Sequence, residues 1–192
     1  MSKILSFDTD DTVLHCSNAL EAYCENKLGM KSLRRLRDNY YVHKIFDIDE
    51  ETAYELCRDF WTSEHFFNLK PMSCALEVIP RLASQGWQFV TITACLDDPY
   101  VKENRRKNIE NAFGIKLLDV HCTHGKHKAD YLKLYDPTIW VEDHWQNCQA
   151  GAKLGHKSFL INKTYNLHDY EPPLFTRIKD WYDVEKYIQE NI

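Results

Sequence analysis

Lys3-Ile4-Leu5-Ser6-Phe7-Asp8-Thr9-Asp10-Asp11-Thr12 runs an apolar stretch straight into three carboxylates within four positions. A short apolar run with polar flanks is the pattern of a strand buried on both faces, as in a parallel sheet. Asp8 and Asp10, two apart on an extended chain, project to the same side. Like charges held so close raise each other's pKa unless a cation neutralises them. Mg²⁺, a hard ion that takes one or two carboxylates and keeps several waters, is the counter-ion expected there. The plainer alternative is a solvated turn in which an Asp caps a helix.

Four further apolar runs have the same strand pattern: residues 87–93, Leu117–Cys122, residues 138–141 and residues 158–161. Helical patterns separate them. Asp98 with Pro99 supplies an N-cap and a first-turn proline, and Gly114 a C-terminal stop, for a helix towards Phe113. Trp145, Cys148 and Ala152, stopped by Gly155, form a second helix, and Asp180 caps a third whose stripe is Trp181, Val184 and Ile188. Alternating strands and helices predict an α/β fold with a doubly wound parallel sheet, Rossmann-like in outline. Pro80, inside the apolar 74–82 run, is expected to kink its helix. Residues 14–70 break the rhythm, with helical spacing at Ala19, Ala22 and Tyr23 and again at Tyr54, Leu56, Phe60 and Trp61. The expected organisation is therefore a catalytic core of residues 1–13 and 71–192, with a small helical cap, residues 14–70, over the carboxyl end of the first strand.

Composition agrees with a globular chain. At 192 residues, 44% hydrophobic and 28% charged, with Gly 6 and Pro 6, it excludes collagen-like, low-complexity and broadly disordered classes. A formal charge of -5 shows no global footprint for duplex nucleic acid, although a local basic patch stays open. Seven scattered cysteines without a C-x-x-C pair fit a reducing compartment. No signal-length apolar stretch builds up before Asp8 and no window reaches a membrane span, so the expected location is cytoplasmic, without a membrane partner.

Three more features fall at predicted strand ends or just beyond. Thr93 closes residues 87–93, Glu142-Asp143 follows residues 138–141, and Lys128 stands after the third strand, where Lys126 competes with it. Paired carboxylates, a metal, a hydroxyl and an ammonium are what phosphoryl transfer requires: nucleophile, proton donor, charge neutralisation and oxygen clamps.

In order and spacing these residues resemble the haloacid dehalogenase superfamily of phosphatases. Asp8-Thr9-Asp10-Asp11-Thr12 resembles its first motif, D-x-D-x-T/V, Thr93 its second, Lys128 its third and Glu142-Asp143 its fourth. Within that superfamily, Ser63-Glu64-His65-Phe66-Phe67-Asn68-Leu69-Lys70-Pro71, followed by Ala75-Leu76, is similar to the 5'(3')-deoxyribonucleotidases, as is Asn162-Lys163-Thr164-Tyr165-Asn166. Three positions depart: Ala94-Cys95 replaces a Ser-Pro, Cys16 an aromatic residue that faces the base, and Glu142 an Asp. The resemblance implies a Mg²⁺-dependent hydrolysis of nucleoside monophosphates. Asp8 is then the nucleophile that forms an aspartyl-phosphate and Asp10 the acid and base. Thr93 and Lys128 bind phosphate, and the metal sits at Asp8, Asp10, through its backbone carbonyl, and Asp143. Rival readings are a polynucleotide 3'-phosphatase, another small-molecule phosphatase of this superfamily, and a non-catalytic domain that binds a phosphorylated ligand.

The expected partner is a small-molecule nucleotide; Phe66, Phe67, Trp61, Tyr40 and Tyr41 read mostly as core, with one or two of them facing the crevice to stack a base, Phe66 and Phe67 first, and Arg34, in the basic stretch Lys31, Arg34, Arg35 and Arg37, is a steering candidate. A second basic stretch, Lys102, Arg105, Arg106 and Lys107, reads as a solvated face. His121, Cys122, His124 and His127 look like soft-metal ligands, but residues alternating along a strand and its loop do not converge into a tetrahedron unaided. His144 reads equally as a helix cap or as a group orienting metal-bound water.

Overall fold

The computed structural model describes residues 3–33, 39–167 and 174–192. The five apolar runs are strands β1 (Ile4–Phe7), β2 (Gln88–Thr93), β3 (Leu117–Cys122), β4 (Ile139–Glu142) and β5 (Lys157–Ile161). A sixth, β6 (Thr176–Ile178), pairs with β5 at the sheet edge; Thr-Arg-Ile has no apolar run, so only the pairing reveals it. All pairs are parallel, in the order β3-β2-β1-β4-β5-β6. The winding reverses between β1 and β4, and at such a switch point the carboxyl ends open a crevice. The first acidic motif follows β1, and the second lies at the end of β4.

Between β1 and β2 run α1 (Ser17–Leu28), α2 (Val42–Phe46), α3 (Glu50–Trp61), α4 (Glu64–Phe67) and α5 (Ser73–Ser84); later come α6 (Pro99–Phe113), α7 (Lys128–Leu132), α8 (Trp145–Lys153) and α9 (Trp181–Asn191). Strand residues alternate between two layers, as a period of two demands. Leu5, Phe7 and Phe89 join Val78, Ile79, Ile109 and Trp181 of α5, α6 and α9. Val90, Ile92 and Trp140 meet Leu132 of α7 on the opposite face. Pro80 does not end α5, which continues to Ser84. A proline there costs about 3 kcal/mol, whereas full burial of Val78, Ile79 and Leu82 contributes about 1.5–3 kcal/mol each.

α8 approaches β4 so closely that a Cβ on Gly151 would lie 2.5 Å from Trp140 Cδ1. Trp140 is fully buried and has nowhere to yield. Gly151→Ala is therefore expected to destabilise the fold by about 1–3 kcal/mol despite alanine's better helix propensity. Chemical denaturation checks this, and an unchanged midpoint would contradict it.

Helices α1 to α3 share a small core of their own, Cys24, Val42, Ile45, Phe46, Ala53 and Leu56. The chain enters and leaves this helical segment side by side: His15 N–H donates to Lys70 O (2.9 Å) and Met72 N–H to Val13 O (2.8 Å). Among the described residues, no helix is long and apolar enough to cross a membrane.

Candidate active site

Beyond β1 the chain carries Asp8 into the crevice, its N–H donating to Val141 O of β4 (2.9 Å). Lys128, the first residue of α7, reaches across from the β3 side. Its Nζ lies 2.6 Å from Asp8 Oδ1 and 3.1 Å from Glu142 Oε2. All three side chains are buried. Burial alone would lower the Lys128 pKa, but the Asp8 and Glu142 carboxylates outweigh it and hold the ammonium above the ordinary lysine value. Burial, with Asp8 nearby, pushes Glu142 up to about 8 in spite of Lys128. Lys126, by contrast, is exposed and lies 3.5 Å from Asp97; the site ammonium is that of Lys128.

Asp143 completes the cluster. Burial and the neighbouring carboxylates, Asp8 first, raise its pKa. The Tyr165 hydroxyl donates to Oδ2, Thr12 Oγ1 to Oδ1 at 3.4 Å, and Asn166 Nδ2 to the Asp143 carbonyl at 2.7 Å. Asp8, Glu142 and Asp143 each offer a ligand oxygen, all within 4.8 Å of one another. One ammonium among three buried carboxylates leaves an excess negative charge that hard oxygen donors share well with a divalent cation, so the donor set fits one. Asp8 and Asp143 of the expected set lie together here and Glu142 joins them; the Asp10 side chain turns elsewhere, which leaves the expected role of its backbone carbonyl untouched. Glu142 also anchors Lys128 and accepts from Asn147 Nδ2 at 2.9 Å.

The Asp10 carboxylate accepts at both oxygens, Oδ1 from Arg105 Nη2 (2.8 Å) and Oδ2 from Thr93 Oγ1 (3.3 Å). Thr93 is thus at the site but bonded to Asp10, and Ala94 lines the cavity beside it. The third carboxylate of the motif has the plainer role. Asp11, at φ 55°, accepts from the N–H groups of Cys16 and Ser17 and the Ser17 hydroxyl at the start of α1. Aspartate tolerates that left-handed backbone better than most residues.

A cavity of about 310 Å³ opens over Asp8, Asp10, Lys128 and Asp143. Its other walls carry Tyr40, Tyr41, Tyr54 and Trp61, and Lys128 is the one lysine or arginine among the described lining residues. Tyr40 packs on His144 (4.9 Å between centroids) and Tyr165 (5.8 Å). Phe66 and Phe67 do not line this cavity. Phe66 is buried against Phe60, with the Arg105 guanidinium 3.6 Å from its ring centroid, and Phe67 packs on Tyr100. Of the aromatic candidates, Tyr40, Tyr41 and Trp61 line the cavity, joined by Tyr54 of α3. Arg34, with Arg35 and Arg37, lies outside the described residues.

The remaining histidines do not assemble a soft-metal site among the described residues; His121 Nε2 instead meets the Tyr135 hydroxyl at 2.7 Å. His144 takes the N-cap position of α8 without a side-chain cap bond, and burial lowers its pKa. Two contacts escaped sequence reasoning. Arg105 is fully buried rather than part of a solvated face. The signal was available, since Val101, Arg105, Ile109 and Phe113 recur every fourth residue on the inner stripe of α6. Tyr165 falls within the stretch 162–166 already noted, but nothing local to that stretch pointed to its partner, Asp143, which lies at the end of another strand.

No protein-family model and no curated protein matches this sequence. Solved structures do match over nearly the whole chain. A predicted phosphatase from Clostridium acetobutylicum superimposes with a TM-score of 0.69 at 16% identity, covering 99% of each chain. A predicted phosphoglycolate phosphatase from Haemophilus somnus gives 0.66 at 14% identity over 98% of each. L-2-haloacid dehalogenase from Xanthobacter autotrophicus, with chloropropionic acid covalently bound, gives 0.65 at 10% identity over 100% of each. The chain has the haloacid dehalogenase-like fold.

Proposed function

We propose that the protein is a Mg²⁺-dependent phosphomonoesterase that hydrolyses nucleoside monophosphates through an aspartyl-phosphate. The observation that carries this reading is the buried Asp8 on the cavity floor, with Lys128 Nζ at 2.6 Å and Asp143 beside it. A solvated turn or a passive phosphate binder has no use for a nucleophile paired with a second carboxyl, Asp10, on the same wall. Residues 14–70 act as a cap that closes the cavity and selects the substrate, and the enzyme works in the cytoplasm.

Asp8, Asp143 and the Asp10 carbonyl would hold the metal, with Glu142 close by. When bound, Mg²⁺ neutralises the crowded carboxylates and the phosphoryl oxygens. Asp8 attacks phosphorus, and the ester oxygen departs with the proton of Asp10. Asp10 then takes a proton from the water that attacks the aspartyl-phosphate, which frees phosphate and restores Asp8. Lys128 donates to a non-bridging oxygen, and the Thr93 hydroxyl turns from Asp10 to another, where charge is greatest as the phosphoryl group transfers.

Tyr40, Tyr41, Tyr54 and Trp61 support a planar base, and stacking of this kind is worth about 1–3 kcal/mol per base. The scarcity of lysine and arginine along the described walls disfavours a polynucleotide, whose backbone phosphates need cations. A panel of nucleoside 5'- and 3'-monophosphates and a 3'-phosphorylated oligonucleotide, each with Mg²⁺, tests the assignment. Faster turnover of the oligonucleotide would replace it with a polynucleotide 3'-phosphatase. A chelator is expected to abolish activity, and Mg²⁺ to restore it and raise the melting temperature. Tyr54→Ala should raise KM for nucleotides several-fold, on the order of a stacking contact, and leave KM for a small aryl phosphate unchanged.

Asp10→Asn should slow hydrolysis of poor leaving groups by about 10²–10⁴, the range of general acid catalysis, and affect an aryl phosphate far less. Equal losses on both substrates would remove Asp10 from the acid role.

A further inference from the structure

Arg105 is an unusual residue to bury. Its side chain is wholly inaccessible, and among the described residues its guanidinium makes a single hydrogen bond, Nη2 to Asp10 Oδ1 at 2.8 Å. Nε and Nη1 are buried without a partner. The group is pressed flat against Phe66, 3.6 Å from the ring centroid. An apolar residue at this position on the inner stripe of α6 would serve stability better, because an incompletely bonded buried ion seldom recovers its desolvation cost. Arg105 is too deep to touch a ligand in the cavity, so whatever it does there acts through Asp10.

We propose that Arg105 is a positioning residue for proton transfer by Asp10, and that Phe66 holds it in place; this rests on the phosphatase reading above. A guanidinium has five donors, no acceptor and no accessible neutral form. The oxygen it bonds cannot carry a proton towards it, so the transferable proton of Asp10 is confined to Oδ2. That oxygen meets the Thr93 hydroxyl, at 3.3 Å, which can accept as well as donate, and the buried Cys16 thiol is a further hydrogen-bond neighbour of the carboxylate. Arg105 thereby fixes both the plane of the carboxyl and the oxygen that meets the leaving group. Phe66, at the end of the helical segment, becomes part of the acid's support rather than a base-stacking surface.

The experiment compares hydrolysis across phosphomonoesters of increasing leaving-group pKa for wild type, Asp10→Asn, Arg105→Met and the double variant. Arg105→Met is expected to fold and to lose about 10- to 100-fold on alkyl phosphates, the scale on which an outer-shell partner acts. On an aryl phosphate with a good leaving group it should lose less than about threefold, because that oxygen needs no proton. Its dependence on leaving-group pKa should steepen as in Asp10→Asn, and the double variant should be no steeper than Asp10→Asn alone. Phe66→Leu should steepen the same plot to a smaller degree without changing KM, and added guanidinium should recover alkyl phosphate turnover in Arg105→Ala. A uniform loss on all esters, or no loss, in Arg105→Met would overturn the proposal. If Arg105→Met does not fold, an unchanged slope in Phe66→Leu overturns it. A flat Asp10→Asn plot would instead remove the acid assignment itself, and this inference with it.

Discussion

Asp8→Asn is expected to lower turnover of every phosphomonoester by about 10⁴-fold or more, the scale of losing a nucleophile, while the protein stays folded. The amide is nearly isosteric with the carboxylate but does not attack phosphorus. Its effect on stability follows from the surroundings. Asp8 is buried, and desolvation, with Asp10 close by, raises its pKa in spite of Lys128, so its charge is held at a cost in the metal-free protein. Removing that charge leaves Lys128 paired with Glu142 at 3.1 Å and relieves repulsion on Asp143. The metal-free melting temperature should therefore stay level or rise, and the increase produced by Mg²⁺ should shrink. An active, well-folded Asp8→Asn protein would end the aspartyl-phosphate mechanism.

Lys128→Met should be damaging in two separable ways. Loss of the cation that faces a phosphoryl oxygen is expected to reduce turnover by roughly 10³ to 10⁵, as removal of an arginine finger does. It also leaves Asp8, Glu142 and Asp143 buried together without a counter-charge. Breaking a buried pair by removing one partner typically costs about 3–5 kcal/mol, and urea denaturation without metal should read a loss of that order. Mg²⁺ should recover part of the stability but not the activity, because the ion replaces the charge and not the Nζ–H donors. A second change, Glu142→Gln, should restore stability to Lys128→Met more than it costs the wild type, which a double-mutant cycle measures. Additive effects would mean that the 3.1 Å contact between Lys128 and Glu142 carries no coupling.

Strands β1, β2, β4 and β5 were legible because parallel strands covered on both faces are mostly apolar along a short run, and that pattern survives without neighbours; β3, at the sheet edge with Leu118 exposed and Asp119 and His121 half-buried, kept enough of it in Leu117, Val120 and Cys122. The acidic residues after β1 and at β4 were legible for a related reason: carboxylates next to a buried run are too costly to be incidental. Likewise Asp98, Pro99, Gly114 and Asp180 punctuate helices through local hydrogen bonds and backbone angles, and the caps formed by Asp98 and Asp180 are where the sequence places them. β6 was not legible, because three residues at an edge are strand only by virtue of β5.

The sequence alone therefore determined the doubly wound sheet and the identity of the carboxylates at its carboxyl edge, since both depend on local pattern and on topology that follows from it. The tertiary structure decided which cations meet them. Lys128 rather than Lys126 reaches Asp8, and Arg105, 95 residues from Asp10 in the chain, turns inward to hold it. It also moved Phe66 from the expected ligand surface to a seat beneath that arginine, and put Tyr40, Tyr54 and Trp61 on the cavity wall. Side-chain partners at such separations are set by the packing of α6, α7 and the helical segment against the sheet, and no periodicity within any one of those segments encodes them.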